Sequence, residues 1–247
     1  MIRTHQLNKT FGSFTAVRNI DLSAEKGSVY GFLGANGAGK TTTIKMLMGL
    51  LVPTSGQASV GGLDCQKDRI EVKRLIGYLP DVPLFPEFLK GREVVQMAGE
   101  LQGMSRKAAR IRADELINQM GLEEASEEYS TNYSTGMKKR LGLAAAMVHD
   151  PDVLLLDEPT NGLDPYASKQ MREWITESAG RGKTILLSTH LLDMAERVCS
   201  HLGIIHRGDM VCQGTMQEIR DQRVQQGNLE DIFFAVTAAG VAHESPA

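Results

Sequence analysis

Short apolar runs bounded by glycine or polar residues predict buried strands at three places along the chain. Residues 29–33 form one such run, between Gly27 and Gly34. Residues 153–156 and 184–187 form two more, with a helical pattern between them. Strands that are covered on both faces have nearly continuous apolar sequences, and they alternate with helices in parallel sheets. The pattern therefore predicts an α/β fold with a parallel sheet covered on both faces.

The rest of the pattern divides the chain into stretches of different texture. Residues 2–60 are strand-like, whereas 85–150 are helical. Within the helical stretch, residues 106–120 are rich in Ala, Arg, Glu and Leu, and Gly121 follows as a typical helix stop. The middle of the chain is therefore predicted to be mainly helical.

The last third of the chain contains a predicted hairpin and a short helix. Residues 202–205 and 210–213 flank a polar turn. Thr215 and Glu218 have the spacing of a capping box, which begins a helix. The Ala-rich end, 235–247, is predicted to fray.

Composition excludes some classes of protein and partner. The chain has 247 residues, 42% of them hydrophobic and 23% charged, and a formal net charge of −3. It is long enough to bury a sizeable core and too apolar to be disordered. A protein that binds nucleic acid usually has a basic excess or a basic stripe. The nearest cluster is 138–140, which we interpret as a solvated helix face, so we predict no nucleic-acid partner.

Cysteine usage and the length of the apolar runs bear on location. The three cysteines are widely spaced and suggest neither a disulfide framework nor a metal site, which fits a reducing cytosol. Residues 1–9 lack the apolar core of a signal peptide. The longest apolar runs, such as 141–148, fall far short of the roughly 18 residues of a membrane helix. We expect no direct membrane insertion, so that work at a membrane would require another subunit to cross it.

Residues 34–41 match the phosphate-loop pattern Gly-x-x-x-x-Gly-Lys-Ser/Thr. The match follows a predicted strand and precedes a helix predicted at 42–51, where backbone N–H groups and the helix N-terminus can cradle phosphates. Lys40 would reach the β- and γ-phosphates and act in catalysis, while the Thr41 hydroxyl would bind Mg²⁺. A chance match, expected in about one chain in a hundred of this length, is the alternative. The candidate ATP-binding residues here are Gly34, Ala35, Asn36, Gly37, Ala38, Gly39, Lys40, Thr41 and Thr42.

Two carboxylates, Asp157 and Glu158, follow the predicted strand at 153–156. Ligands of open α/β sheets bind at the carboxyl ends of the strands. Asp157 is placed to hold Mg²⁺ directly or through water, and Glu158 can accept a proton from the attacking water or orient it. A strand that runs into an acidic loop is the ordinary alternative, which the phosphate loop in the same chain makes less attractive.

The segments around these two elements resemble the ATP-binding cassette family. Tyr-Ser-Thr-Gly-Met at 133–137 is similar to the family signature Leu-Ser-Gly-Gly-Gln, and 161–164 is similar to its D-loop. Ser-Thr-His at 188–190 resembles the segment with the switch histidine. Phe11 matches the aromatic residue that stacks on adenine, and 76–81 matches the segment that leads to the Q-loop.

This resemblance implies a phosphate-loop NTPase cassette that binds ATP and Mg²⁺. The expected architecture has a mostly parallel central sheet, an N-terminal antiparallel β subdomain and a helical subdomain inserted at about 83–150. The motifs occur in the family's order, so a single ATPase domain is expected over 1–220. Residues 221–247 are expected to form a short C-terminal helix and a frayed tail.

The resemblance also implies that each ATP lies between two chains. Ser134 and the backbone of Gly136 would donate to the γ-phosphate held on the phosphate loop of a second copy. His190, a catalytic candidate, would bridge the γ-phosphate and Glu158, and Asp164 would communicate across the dimer. A paralogous cassette is the alternative to the second copy.

The chain departs from the family pattern at several positions. Asp81 stands where the family has the Q-loop glutamine; it remains a candidate Mg²⁺ ligand, and its charge would make the site more metal-dependent. Thr135 and Met137 replace a glycine and a glutamine of the signature. Phe11 stands where tyrosine is common, although stacking needs only the ring. None of these changes removes a group expected to act in hydrolysis.

Three functions follow from these motifs. The first is the motor subunit of a transporter, peripheral at the cytoplasmic face of the plasma (inner) membrane and bound to separate membrane-spanning permease subunits. The altered signature, the acidic Q-loop residue and the segment 229–233 resemble the bacterial exporter branch, which serves drug, antibiotic, peptide or sodium efflux. Leu84, Phe85 and Phe88 are candidate permease contacts, which core packing would explain equally well.

The other two functions have less support in the sequence. A soluble cassette ATPase acting on ribosomes or DNA would usually carry a second cassette with a basic linker, or a long coiled-coil insertion, and the chain shows neither. A regulatory module that binds ATP with little hydrolysis is disfavoured by Glu158.

Overall fold

This computed structural model describes residues 1–221 and 229–239. Ten strands among them form one mixed sheet. Its strands are β1 (Ile2–Phe11), β2 (Phe14–Ala24), β3 (Val29–Leu33), β4 (Ser55–Val60), β5 (Leu63–Asp64), β6 (Ile76–Leu79), β7 (Val153–Asp157), β8 (Thr184–Thr189), β9 (His201–His206) and β10 (Asp209–Thr215). Their order across the sheet is β5-β4-β1-β2-β10-β9-β3-β8-β7-β6.

Helices cover both faces of this sheet and extend beyond it. They are α1 (Lys40–Leu47), α2 (Arg69–Leu75), α3 (Gly91–Leu101), α4 (Arg106–Gln119), α5 (Thr135–Met147), α6 (Pro165–Gly180), α7 (Leu192–Val198), α8 (Met216–Asp221) and α9 (Leu229–Ala239). No helix within the described residues has both the length and the apolar composition that a membrane span needs.

The parallel half of the sheet confirms the strands predicted from the apolar runs. β9, β3, β8, β7 and β6 pair in parallel, and every residue of β3, β7 and β8 is buried. Successive side chains of β7 enter two different cores, because neighbouring residues of a strand point to opposite faces. Leu154 and Leu156 join one core, whereas Val153 and Leu155 join the other. The sheet is therefore covered on both faces.

The other half of the sheet is antiparallel, as the family resemblance implies. β5, β4, β1 and β2 pair in this way, and β9 and β10 form the predicted hairpin. β10 meets β2 at one parallel pair, Asp209 with Arg18, whose side chains form an ion pair of 2.8 Å. The predicted α/β fold with a mostly parallel centre and antiparallel N-terminal strands is confirmed.

Helix boundaries differ in places from the sequence prediction. α1 begins at Lys40 rather than Thr42 and ends at Leu47 rather than Leu51. It stops early because Gly49 adopts a left-handed φ of 65° just after the helix, and the position requires glycine because a Cβ there would collide with the carbonyl of Cys65. α4 matches its prediction closely, with Ser105 as a side-chain cap.

The C-terminal elements partly match the prediction. The capping box is confirmed, since the N–H of Thr215 donates to Glu218 Oε2 at 2.7 Å and the N–H of Glu218 donates to Thr215 Oγ1 at 3.1 Å. The predicted fraying is wrong for 235–239, which lie in α9. Leu229 and Ile232 anchor that helix in a third core. Residues 222–228 and 240–247 lie outside the described part of the chain.

Candidate ATP-binding site

A cavity of about 300 Å³ opens where β3 and β7 end, between the phosphate-loop segment and the β1–β2 turn. It contains most of the predicted nucleotide-binding and metal-binding residues. Its lining residues are Phe11, Phe14, Ala16, Ala35, Asn36, Gly37, Gly39, Lys40, Thr41, Thr42, Asp81, Asp157 and Glu158. The sheet edge thus gathers residues that are up to 147 positions apart, from Phe11 to Glu158.

The loop between β3 and α1 can adopt its path only with glycine at its ends. A Cβ on Gly34 would lie 2.5 Å from the carbonyl oxygen of Ile205, and one on Gly39 would lie 2.6 Å from that of Ala16. Gly39 also has a φ of 113°, a conformation open to glycine and costly for other residues. The helix that follows begins at Lys40 and directs its N-terminus at the cavity, as anion binding requires.

The ammonium group of Lys40 lies buried at the base of the cavity. Its Nζ donates to the carbonyl oxygens of Gly34 at 2.6 Å and Ala35 at 3.3 Å, and it forms an ion pair of 3.0 Å with Glu158 Oε1. Both side chains of this pair are less than a tenth exposed. A buried cation is tolerable because it is paired and hydrogen-bonded. The same ammonium could bind an anionic phosphate that entered the cavity.

Asp157 accepts two hydroxyl hydrogen bonds at the end of β7. Thr41 Oγ1 donates to its Oδ2 at 2.7 Å, and the Ser188 hydroxyl donates to its Oδ1. Ser188 is in reach because it lies opposite Asp157 in the β7–β8 pairing. Sequence reasoning assigned Ser188 no contact of its own, although the pairing of the two predicted strands could have indicated it. Burial, together with Asp157 and Asp81, raises the pKa of Tyr78 to about 12.

Glu158 is held by bonds to both its backbone and its side chain. Its φ is 48°, in the left-handed region, and its N–H donates to the carbonyl of Ser188 at 3.0 Å. Its Oε2 lies 2.9 Å from His190 Nδ1 and accepts from the His190 backbone N–H at 3.3 Å. Its two carboxylate oxygens therefore face two different groups, Lys40 and His190.

One lysine of the cluster 138–140 belongs to this site, so the interpretation of that cluster as a solvated face is wrong for Lys139. Its side chain is 1% exposed, and its Nζ donates to the carbonyl oxygen of Glu158. It also lies 3.4 Å from Asp81 Oδ1, which accepts a second bond from Asn161 Nδ2 at 3.1 Å. Charge alone could not separate Lys139 from its neighbours, because burial depends on how α5 packs.

The signature residues Ser134 and Gly136, together with Asp164, lie outside the cavity lining among the described residues. Ser134 caps α5 by accepting from the N–H of Met137 at 3.3 Å, and Asp164 caps α6 by accepting from the N–H of Ala167 at 2.9 Å. Gly136 lies close to the D-loop, since a Cβ on it would be 3.6 Å from Leu163. Among the residues that the structure describes, these three predicted site residues are not part of the cavity lining.

Two phenylalanines form the outer rim of the cavity. Phe11 and Phe14 lie opposite each other at the end of the β1–β2 hairpin and are 48% and 62% exposed. Lys9 Nζ lies 5.0 Å from the centre of the Phe11 ring. Sequence reasoning selected Phe11 and missed Phe14, which the turn between the two strands brings to the same rim.

The comparisons with known proteins decide the family. The model of the family described as "ABC transporter" matches residues 17–161, which are more than half of the chain. The chain belongs to the ABC transporter family. The predicted identity as an ATP-binding, ATP-hydrolysing cassette is thereby confirmed, and the soluble alternative is not favoured.

Two curated relatives match most of this chain. The bacitracin transport ATP-binding protein BcrA of Bacillus licheniformis is 42% identical over 238 residues, which are 96% of this chain and 75% of the relative. The daunorubicin/doxorubicin resistance ATP-binding protein DrrA of Streptomyces peucetius is 41% identical over 219 residues, 89% of this chain and 66% of the relative.

Solved structures match the fold over nearly the same extent. The structure of an ATP-binding subunit of an ABC transporter has a TM-score of 0.88 and 29% identity, covering 96% of this chain and 99% of its own. A dimeric ATP-binding cassette in a post-hydrolysis state, bound to ADP and phosphate, has a TM-score of 0.80 and 22% identity, covering 87% of this chain and 99% of its own.

Proposed function

We propose that the chain hydrolyses ATP between two copies of itself and thereby drives export through separate membrane-spanning permease subunits. The observation that carries this proposal is the arrangement of Glu158, which faces Lys40 and His190 beside the buried Asp157. Such an arrangement joins a phosphate-binding cation to a carboxylate that can orient water.

The residues divide the work of phosphoryl transfer as follows. Lys40 and the backbone N–H groups of the loop bind the phosphates, with Lys40 exchanging Glu158 Oε1 for phosphate oxygens. Glu158 is then available to accept a hydrogen bond from the attacking water. His190, 2.9 Å from Glu158 Oε2, holds that carboxylate on one side and is exposed enough to reach the γ-phosphate on the other. Positioning of this kind is most of what an enzyme contributes to phosphoryl transfer.

The oxygen atoms at the end of β7 are suitable ligands for Mg²⁺. The Thr41 hydroxyl and the Asp157 carboxylate lie 2.7 Å apart and are hard oxygen ligands. Mg²⁺ commonly takes one or two protein ligands together with phosphates and waters. This agrees with the described residues, in which no three His, Cys, Asp or Glu side chains form a metal cluster. We assign Thr41 and Asp157 to hold the ion, with Asp81 near its shell; when bound, Mg²⁺ would neutralise charge that develops on the phosphates.

The placement of the signature residues supports a dimer. A serine hydroxyl that accepts one hydrogen bond, as Ser134 does from Met137, can still donate another. α5 directs its N-terminal dipole outward at the same point, which suits an anion. Since Ser134, Gly136 and Asp164 lie apart from the cavity of their own chain, we assign them to the ATP on a second copy.

A groove beside the helical part of the fold suits a permease helix. It measures about 370 Å³ and is lined mainly by apolar side chains of the segment after β6 and of α3 and α5. Leu84, which is 87% exposed, and Leu101 contribute to its wall, as does the half-buried Phe85. Phe88 is exposed but does not line the groove among the described residues, so it is the weakest of the three predicted contacts. We place the docked chain at the cytoplasmic face of the membrane.

The direction and cargo of transport are inferred from the relatives' names. Those names concern bacitracin transport and daunorubicin/doxorubicin resistance. Removal of the compound from the cell is a simple route to such resistance. We therefore propose an antibiotic- or drug-like cargo and outward movement, in agreement with the exporter-like signature.

Replacement of the candidate base tests the ATPase part of the proposal. Glu158→Gln should bind ATP but lose turnover about 1,000-fold, since the amide cannot accept a proton. The trapped ATP should also hold a dimer that light scattering detects. The matched control is Glu124→Gln, an exposed carboxylate far along the chain from the site. Normal phosphate release by Glu158→Gln would overturn the assignment.

Capture from solubilised native membranes tests the transporter part. Tagged Glu158→Gln with ATP and Mg²⁺ should retain a multi-span membrane protein in stoichiometric amount. Adding Leu84→Asp and Leu101→Asp should release it, because charges would enter the apolar groove. Ile111→Asp is the control, as Ile111 is exposed on α4 and outside the groove lining. Ribosomal or DNA-processing proteins in place of a membrane protein would refute the proposed partner.

A further inference from the structure

Lys139 is a buried lysine whose burial is not explained by phosphate binding. A lysine is almost never fully buried unless its ammonium is paired. Lys139 nevertheless lies inside the fold, on the inner face of α5, within reach of Glu158 and Asp81. Burial lowers the pKa of Lys139, while Asp81 acts in the opposite direction. Burial of the ammonium therefore costs free energy, which its contacts with Glu158 and Asp81 offset.

The backbone of Glu158 is one feature that Lys139 can explain. A residue with a side chain rarely adopts a φ of 48°, and it keeps that conformation only where its surroundings enforce it. The carbonyl oxygen of Glu158 accepts from Lys139 Nζ and from the Asn161 N–H at 3.1 Å. Together with the bond from its own N–H to Ser188, these contacts hold the peptide units on both sides of Glu158.

Asp81 completes the arrangement. Its Oδ1 lies near Lys139 Nζ and also accepts from the Asn161 side chain. One carboxylate oxygen thus joins the segment after β6, helix α5 and the turn that begins at Glu158. The acidic Q-loop position and the buried lysine compensate each other's charge, so Asp81 need not add a net negative charge beside the phosphates.

We infer that Lys139 is a positioning residue for ATP hydrolysis: it holds the backbone of Glu158 so that the carboxylate faces Lys40 and His190, with Asp81 as its counter-ion. The inference rests on the proposed role of Glu158. A carboxylate orients water efficiently only when its geometry is held closely by the residues around it. Loss of Lys139 should therefore reduce the chemical step more than the binding of ATP.

The first test is steady-state kinetics of Lys139→Met, which keeps the side-chain length and removes the donors. We expect kcat to fall about tenfold or more while KM for ATP changes less than about twofold, because the phosphate loop is untouched. Lys107→Met, at an exposed position on α4, is the control and should match the unmodified chain. Thermal unfolding followed by the fluorescence of Trp174, the single tryptophan, reports on the fold.

A double-mutant cycle tests the counter-ion. Asp81→Ala alone should lower kcat, because it leaves the Lys139 ammonium buried without its carboxylate. Asp81→Ala combined with Lys139→Met should be no slower than Lys139→Met alone, so that the two effects are far from multiplicative. Multiplicative effects would show that the two residues act independently and would overturn the pairing.

Two further outcomes distinguish failure of this inference from failure of the proposed function. If Glu158→Gln abolishes turnover and folded Lys139→Met has normal kcat, the positioning role is wrong while the role of Glu158 stands. If Glu158→Gln turns over normally, the proposed function itself fails. Should Lys139→Met not fold, the neutral pair Lys139→Leu with Asp81→Asn replaces it, since leucine has no donor for the Glu158 carbonyl; reduced kcat in that folded variant supports the inference, and full kcat refutes it.

Discussion

The proposed ATP-binding cavity and the signature segment differ in how many of their polar groups are paired within one chain. In the cavity, buried Lys40 and Glu158 pair with each other, and buried Asp157 accepts from the hydroxyls of Thr41 and Ser188. At the signature, Ser134 is exposed, and its hydroxyl bonds, among the described residues, only to the N–H of Met137 that it caps. The charged groups of the first region are paired within one chain, whereas the second region is a helix end that presents donors outward.

This difference explains why the two regions depend on different partners. Buried charges must be compensated inside the fold, because an unpaired ion in a low-dielectric interior is costly. An exposed helix N-terminus needs no partner, since water satisfies its N–H groups. The cavity should therefore bind nucleotide in a single chain, while the signature should matter only once two chains meet.

Replacing Lys40 should have the largest effect on the cavity. Lys40→Ala removes the cation at its base, so ATP affinity should fall about 100-fold or more, by roughly 3 kcal/mol. Isothermal titration with ATP and Mg²⁺ measures it. Lys45→Ala, at an exposed position of the same helix, is the control. Unchanged ATP affinity in Lys40→Ala would contradict the phosphate cradle.

Replacing Ser134 separates the two regions. In the Glu158→Gln background, Ser134→Ala should weaken ATP-dependent dimerisation about tenfold and leave ATP binding by the monomer unchanged. Ser105→Ala is a closely matched control, because Ser105 caps α4 with the same 3.3 Å bond to a backbone N–H. Both variants should lose about 1 kcal/mol of cap stability.

Analytical ultracentrifugation with and without ATP distinguishes these results. A dimer that is weakened equally by both serine replacements would mean that Ser134 acts only as a cap.

Replacing the rim aromatics should have a moderate effect. Phe11→Ala should lower ATP affinity about fivefold, since aromatic stacking contributes about 0.5–1.5 kcal/mol beyond area burial. Phe14→Ala, on the facing strand, is the comparison and should lower it less. A fluorescent ATP analogue competed with ATP gives both values. A larger loss in Phe14→Ala would move the adenine contact to that ring.

Replacing Asp81 with glutamine should have the smallest effect. The amide oxygen can still accept from Lys139 and Asn161, so turnover should stay within about threefold of the unmodified chain. Activity should also become less sensitive to Mg²⁺ if Asp81 reaches the shell of the ion. Identical Mg²⁺ titrations before and after the change would show that it does not.

The groups that could be located from the sequence are those that lie close together within one short segment of the chain. The phosphate loop needs glycines, Lys40 and Thr41 in consecutive positions, because one strand–loop–helix turn positions them all. Asp157 is the last residue of β7, so its place at the sheet edge could be predicted from the apolar run before it. The α/β class was predictable for the same reason, since burial on two faces leaves continuous apolar runs.

Other contacts depend on which segments pack together. The order of residues within one segment does not show which other segment it will contact. Ser188 meets Asp157 because β8 lies beside β7 in one register. Phe14 joins Phe11 because the hairpin pairs them. Neither contact could be read from spacing alone, although each residue was visible as a serine or an aromatic.

The sequence by itself determined the family and the fold class, and it located the residues to which we assign phosphate and metal binding, because each follows from a short motif with its own local geometry. Only the tertiary structure decided that Lys139, among three adjacent basic residues, is buried against Glu158 and Asp81. The physical reason is that burial of a helical side chain is set by the rotation of the helix against its neighbours, a property of the packed molecule rather than of any segment.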